Sequence, residues 1–252
     1  MSAGFGTTVH LLHVYNEEDD EETGADVITA ASKVSVTNKL KEWKECLQEA
    51  LPGNKVKGYV LNGFLDQCIL ELATTVKPNL IIMGKPGEHG FLSLSRPLDA
   101  NRLSQYSKCP VLTVMNNDCH KAMKTIVLPV RDFVPVRKIE LLAVFAKIYR
   151  ARIHVVALEN KVFNNKKEWE VLLETYQVLR NGLNNKIEYL LLKGNNFPRA
   201  IAGYVGEVGA DMLIVNPKKE TRISSLFRKD ISDMIPEHSG VKILSLVPYH
   251  DL

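Results

Sequence analysis

The 252-residue sequence predicts an α/β fold in which a helix-covered parallel β-sheet occurs twice, the first time without its opening strand and most of its opening helix. Three observations predict it. Short β-branched runs alternate with longer stretches of helical period, the pattern of β-α units feeding a parallel sheet. The runs are close to continuously apolar, as in Thr125-Ile-Val-Leu-Pro-Val130, which suits strands buried on both faces between helix layers. The chain also overlays on itself. A shift of 132 residues places Leu80-Ile-Ile-Met83 on Met212-Leu-Ile-Val215 and Val111-Leu-Thr-Val114 on Ile243-Leu-Ser-Leu246, with segments of equal length between them.

In chain order, the first strand candidate is Val9–Tyr15, followed by an acidic loop, Asn16–Gly24, whose consecutive carboxylates repel one another and stay solvated. A helical stretch with Leu40, Trp43 and Leu47 on one stripe leads to the strand Val56–Leu61, and the stripe places Trp43 in the core. Next, Leu65, Cys68, Ile69, Leu72, Ala73 and Val76 recur at i, i+3, i+4, i+7, i+8 and i+11, which is one buried helix face. The strand Leu80–Met83 runs into a glycine-rich loop. Pro97 then opens a helix to about Ser107, and the strand Val111–Met115 closes the first copy.

A short polar linker, Asn116–Lys124, joins the copies, so the domains are residues 1–116 and 124–252. The second copy starts with the strand Thr125–Val130 and a helix from about Val134 to Arg150, and continues with the strand Ile153–Leu158. A helix carrying Trp169, Leu172 and Leu173 follows, again with its tryptophan assigned to the core. The strand Ile187–Leu192, a helix striped by Phe197, Ala200, Ile201, Tyr204, Val205 and Val208, and the strands Met212–Val215 and Ile243–Val247 complete it. Met1 pairs with Phe145, so the first copy has no counterpart of the Thr125 strand. A fragment of a longer protein is the favoured reading of that deficit, and direct pairing of Val9–Tyr15 with Leu80–Met83, or a gap there, is its expected result.

Composition narrows the function classes. Hydrophobic residues at 45% and charged residues at 24% describe a globular chain, and no apolar run reaches the length of about 18–20 residues that crosses a bilayer. A net charge of +3 gives no basic surface for nucleic acid. Four scattered cysteines without Cys-x-x-Cys spacing fit reduced thiols, with neither disulfide nor metal. His10 and His154 recur at equivalent strand positions, which argues for a packing role, and no other histidine has a carboxylate or cysteine at useful spacing. The expected setting is the cytoplasm, without nucleic-acid or direct membrane partners.

Ligands of a parallel β-α sheet bind beyond the carboxyl ends of its strands. One such loop is Gly84-Lys-Pro-Gly87-Glu-His-Gly90, whose glycines let backbone N–H groups approach an anion. The other is Asn216-Pro-Lys-Lys-Glu-Thr-Arg222, where Lys218, Lys219 and Arg222 read as a solvated basic loop. Asp132, after the Thr125 strand, reads as a helix cap before Val134.

Leu80-Ile-Ile-Met-Gly-Lys-Pro-Gly87, Cys109-Pro-Val-Leu-Thr-Val114, Val9-His-Leu-Leu-His-Val-Tyr15 and Ile126-Val-Leu-Pro-Val-Arg-Asp-Phe133 together resemble the universal stress protein family, in two copies. The resemblance implies Rossmann-like (adenine nucleotide alpha hydrolase-like) sheets in strand order 3-2-1-4-5. It implies a non-catalytic stress-response module whose last strands, Val111–Met115 and Ile243–Val247, pair as an internal pseudo-dimer or across a homodimer. Some members bind ATP through Gly, two residues, Gly, nine residues, then Gly with Ser or Thr. Here Gly84 and Gly87 fill the first two places, Pro97-Leu98 breaks the third, and the second copy reads Asn216, Lys219 and Lys229-Asp230. The implied contacts are Gly84, Gly87, Gly90 and Asp132, with ATP or AMP as ligand and no obligatory cofactor. Two alternatives stand beside this: an ATP- or AMP-binding switch using Gly84, Gly87 and Gly90, and a regulatory module of a larger protein such as a cation/proton antiporter tail. A hydrolase is disfavoured, because no positioned base, nucleophile or carboxylate pair can be named.

Overall fold

A computed structural model describes residues 6–15, 28–84, 99–114, 122–159, 166–217, 231–235 and 239–248. The acidic loop, Gly87, Gly90, Pro97, Leu98, most of the linker, Lys218, Lys219, Arg222, Lys229 and Asp230 lie outside them. The fold is α/β with parallel-dominated sheets, and the chain forms two compact units, residues 1–77 and 78–252.

The first unit contains β1 (Thr8–Tyr15), α1 (Ile28–Ala50), β2 (Lys55–Asn62) and α2 (Leu65–Val76). β1 and β2 pair in parallel from Thr8↔Lys55 to Tyr15↔Asn62, as a helical crossover between neighbouring strands requires. Gly58 lets α1 approach the sheet: a Cβ at this position would stand 3.2 Å from Leu40 Cδ2. Leu40, Val56, Cys68 and Ala73 are the buried apolar residues among those described in this unit. The stripe on α2 is therefore partly realised, with Cys68 and Ala73 buried and the rest only half-buried or exposed. The buried Asn54 closes the turn into β2, accepting from Thr7 N–H at 2.9 Å.

The second unit holds β3 (Ile81–Gly84), α3 (Ala100–Ser107), β4 (Val111–Val114), β5 (Thr125–Pro129), α4 (Val136–Tyr149), β6 (Arg152–Leu158), α5 (Lys166–Gly182), β7 (Ile187–Leu192), α6 (Phe197–Glu207), β8 (Met212–Val215), a 3-10 turn (Ile231–Met234) and β9 (Lys242–Ser245). Its sheet runs β3-β4-β9-β8-β5-β6-β7, and every neighbouring pair is parallel except β4 with β9. Counted from β5, the second copy has the order 3-2-1-4-5. Asp211 anchors its centre, because one carboxylate oxygen accepts from the backbone N–H groups of Lys124 and Thr125 at 2.7 and 2.9 Å, aligning the starts of β5 and β8. One core layer gathers Ile126, Leu128, Leu142, Phe145, Ile153, Val155 and Ile214, and a second gathers Val127, Val156, Ile201, Val205, Leu213 and Val215. β5 and β8 are buried at every residue, as strands covered on both faces must be.

Several expectations need correction. Trp43 is 51% and Trp169 40% exposed, so neither is a core residue. A helical stripe specifies a face but not its depth: Trp43 lies under the Lys39 ammonium, and Trp169 packs edge-on against Tyr189 at the surface. The helix expected from Val134 begins at Val136, since Pro135 occupies its cap position. β3 ends one residue later than expected, at Gly84, and β9 ends earlier, at Ser245. Of the two outcomes expected for β1 and β3, direct pairing does not occur, since they belong to different sheets. The compact units divide at Lys77/Pro78, inside the first repeat, whereas the repeat boundary itself is a property of the sequence.

Candidate functional site

Strand order reverses between β5 and β8, and the loops leaving their carboxyl ends flank the crevice where α/β sheets take ligands. Phe133, Pro135, Lys138, Asn216 and Pro248 are among the residues enclosing a cavity of about 110 Å³ there. Lys138 is 1% exposed and donates through Nζ to the Pro129 carbonyl at 2.5 Å, at the end of β5. Burying an ammonium is costly unless it is hydrogen-bonded, and this carbonyl offsets part of that cost. Asn216 is buried directly after β8, at the repeat position of Gly84. Arg137, one residue before Lys138, sends its guanidinium elsewhere: Nη1 donates to the Val247 carbonyl at 2.7 Å and Nη2 to the Lys108 carbonyl at 2.8 Å.

Asp132 is not part of this enclosure. Its side chain is 56% exposed, 4.0 Å from Arg131 Nε, and it does not cap α4, whose cap residue Pro135 has no side-chain hydrogen bond. Arg131 lies over the Phe197 ring at 5.6 Å. Gly84 ends β3 opposite Val114 in a separate part of the sheet, so the structure does not bring Gly84 and Asp132 together, while Gly87 and Gly90 lie outside the described residues. Lys138 was not legible as a site residue, although it falls four positions before Leu142 on the buried stripe of α4.

The cavity is smaller than the roughly 300–1,000 Å³ that drug-sized ligands occupy. Neither buried thiol is an activated nucleophile: burial pushes Cys109 up to about 11, and Cys68 is raised by burial and by Glu71 beside it. Among the described residues no group of three His, Cys, Asp or Glu side chains could hold a metal ion, and no helix is long and apolar enough to cross a membrane.

A second locus joins the two repeats. β4 and β9 are antiparallel, with Val111↔Ser245, Leu112↔Leu244 and Thr113↔Ile243 opposed. The repeat shift makes Leu112 the counterpart of Leu244, and both are buried. Beside this ladder, the Ser245 hydroxyl donates to Asn101 Oδ1 at 2.8 Å in a buried bond, and Arg137 ties Lys108 to Val247.

The sequence profile of the Universal stress protein family matches residues 1–115. The match covers somewhat less than half of the chain. The solved structures most similar to the chain include a universal stress protein from Archaeoglobus fulgidus DSM 4304, with a TM-score of 0.69 and 14% identity over 98% of this chain and 88% of that one. A functionally unknown protein from Pseudomonas aeruginosa PAO1 gives 0.54 and 14%, covering 96% and 83%. The cytoplasmic domain of a prokaryotic cation chloride cotransporter gives 0.52 and 11%, covering 96% and 84%. These likenesses establish the fold. No match was found among curated protein sequences. The matched segment includes residues of both compact units, since β3 and β4 belong to the sheet of the second.

Proposed function

We propose that the chain is a non-catalytic, cytoplasmic stress-response module, in which universal stress protein domains at residues 1–116 and 124–252 form an internal pseudo-dimer that binds nucleotide weakly at most. The observation that carries this reading is the ladder centred on Leu112 and Leu244. Val111 opposes Ser245, the counterpart of Thr113, and Thr113 opposes Ile243, the counterpart of Val111, so the pairing obeys the self-complementary rule of a two-fold interface. It also leaves neither last strand as an open edge.

Weak nucleotide affinity follows from the second copy's crevice. Lys138 and Arg137 point donors at backbone carbonyls, the cavity is small, and Asn216 stands where a glycine would let the backbone approach a phosphate. The Gly84, Gly87 and Gly90 loop would act only as a loose phosphate site, and Asp132, apart from Gly84 in the sheet, would not complete it. Titration calorimetry of the purified chain with ATP and AMP is expected to give no saturable heat at millimolar nucleotide. A dissociation constant tighter than about 0.1 mM would sink this part and favour a nucleotide switch using the Gly84 loop. Regulation of a transporter draws only on a likeness of fold and gains no support from any residue named here.

A further inference from the structure

The two copies place a histidine at the same strand position and surround it with opposite charge. His10 and His154 correspond in the repeat, and each lies in parallel register with a residue of the next strand: His10 opposes Lys57 of β2, and His154 opposes Glu188 of β7. A cation stands across from the first ring and a carboxylate across from the second. His154 is also the more enclosed, at 6% exposed against a half-buried His10.

Three elements converge on His154. Its Nδ1 meets the hydroxyl of Tyr204 on α6 at 2.7 Å, with ring centroids 5.9 Å apart. Its Nε2 is buried, has no hydrogen-bond partner among the described residues, and lies 3.7 Å from Glu188 Oε2, beyond hydrogen-bond reach. The other carboxylate oxygen, Oε1, is held by Lys186 Nζ at 2.7 Å, which keeps Glu188 ionised beside the ring. Arg152 on β6 and Lys186 ahead of β7 are the cations acting on the imidazole and Glu188 is the anion, while Tyr204 and Glu207 are the titratable groups of α6 on this side. Val127, opposite His154 on β5, carries no charge.

These neighbours select one neutral tautomer. With the ring proton on Nε2, the Tyr204 hydroxyl donates to Nδ1 and the N–H faces the carboxylate. With the proton on Nδ1, the Nε2 lone pair would face the Glu188 negative charge instead.

We infer that His154, Glu188 and Tyr204 form a proton-operated clip joining β6, β7 and α6. A proton taken from water onto Nδ1 makes both ring nitrogens donors: Nε2–H closes onto Glu188 Oε2 as a charge-assisted bond, and the Tyr204 hydroxyl turns from donor to acceptor. The closed state is a continuous chain, Lys186–Glu188–His154–Tyr204, from the strand edge to the helix. Because burial holds the folded-state value below the ordinary one, the clip closes below about pH 6.5, and the cost of charging a buried ring falls on the folded chain alone. The first copy cannot build such a chain, since Lys57 stands where Glu188 would, and His10 is therefore an internal control.

The test is a titration of the full chain by NMR from about pH 8 to 5, following the imidazole nitrogens and the Glu188 side-chain carboxyl carbon. The neutral His154 is expected to carry its proton on Nε2, and the Glu188 resonance to move with the His154 midpoint. Glu188→Gln, at a side chain 44% exposed, is expected to lower that midpoint by about 0.5 pH units or more and to leave the His10 midpoint in place. A neutral proton on Nδ1, a Glu188 carboxyl that ignores the His154 titration, an unmoved His154 midpoint in the variant, or a ring that stays neutral until the chain unfolds would each overturn the inference.

Discussion

His154 has one ring nitrogen satisfied and the other not. Nδ1 is hydrogen-bonded to the Tyr204 hydroxyl at 2.7 Å, while Nε2 is buried without a hydrogen-bond partner, 3.7 Å from Glu188 Oε2. Burial holds its pKa below the usual value, the Glu188 carboxylate opposes that shift, and Arg152 and Lys186 reinforce it. Burial also lowers His10 and His13. For a base whose folded pKa is depressed, the unfolded chain takes up protons first. The stability contribution is complete above the unfolded value of about 6.5 and is lost as pH falls from there through the folded pKa. Chemical denaturation between pH 7.5 and 5 is therefore expected to show declining stability, with a shallower decline in His154→Phe. A residual slope belongs to His10 and His13, and an unchanged slope in the variant would remove His154 as the source. His10 and His154 share a packing role, as their repeat positions suggest, but through unrelated partners, because His10 bonds to Tyr59 on β2 and His154 to Tyr204 on α6.

Among the elements, α3 depends on one cap. Asp99 Oδ1 accepts from Asn101 N–H at 2.8 Å and Arg102 N–H at 3.2 Å, satisfying two donors that an eight-residue helix otherwise leaves open. Asp99→Ala is expected to cost about 0.5–2 kcal/mol by denaturant titration, whereas Asp132→Ala, which caps nothing, should change stability little. The elements themselves were largely legible. Ile187–Leu192 and Met212–Val215 are strands with the same ends read from their apolar runs, because polar turn residues flank both runs. Pairing partners were legible only through the family resemblance, which implies the order 3-2-1-4-5 that the second copy has. The site was less legible. Asn216 could be found by aligning it with Gly84, but Lys138 could not, since a lysine in a helix normally faces water and only a tertiary carbonyl explains its burial.

For the molecule as a whole, the antiparallel β4–β9 ladder determines how the repeats share a sheet. Leu244 is fully buried within it and belongs to the same core layer as Leu112, Leu142 and Ile214. Leu244→Ala is expected to cost about 2–5 kcal/mol, with β4, β8 and β9 losing protection together because they belong to one sheet. A variant whose loss is confined to β9 would contradict shared cooperativity. The two tryptophans offer a practical consequence. Trp43 belongs to the unit of residues 1–77 and Trp169, edge-on to Tyr189, to the unit of residues 78–252. Replacing one indole with phenylalanine leaves a single tryptophan, so emission excited beyond the absorption of the eight tyrosines gives a melting curve for one unit without any attached dye.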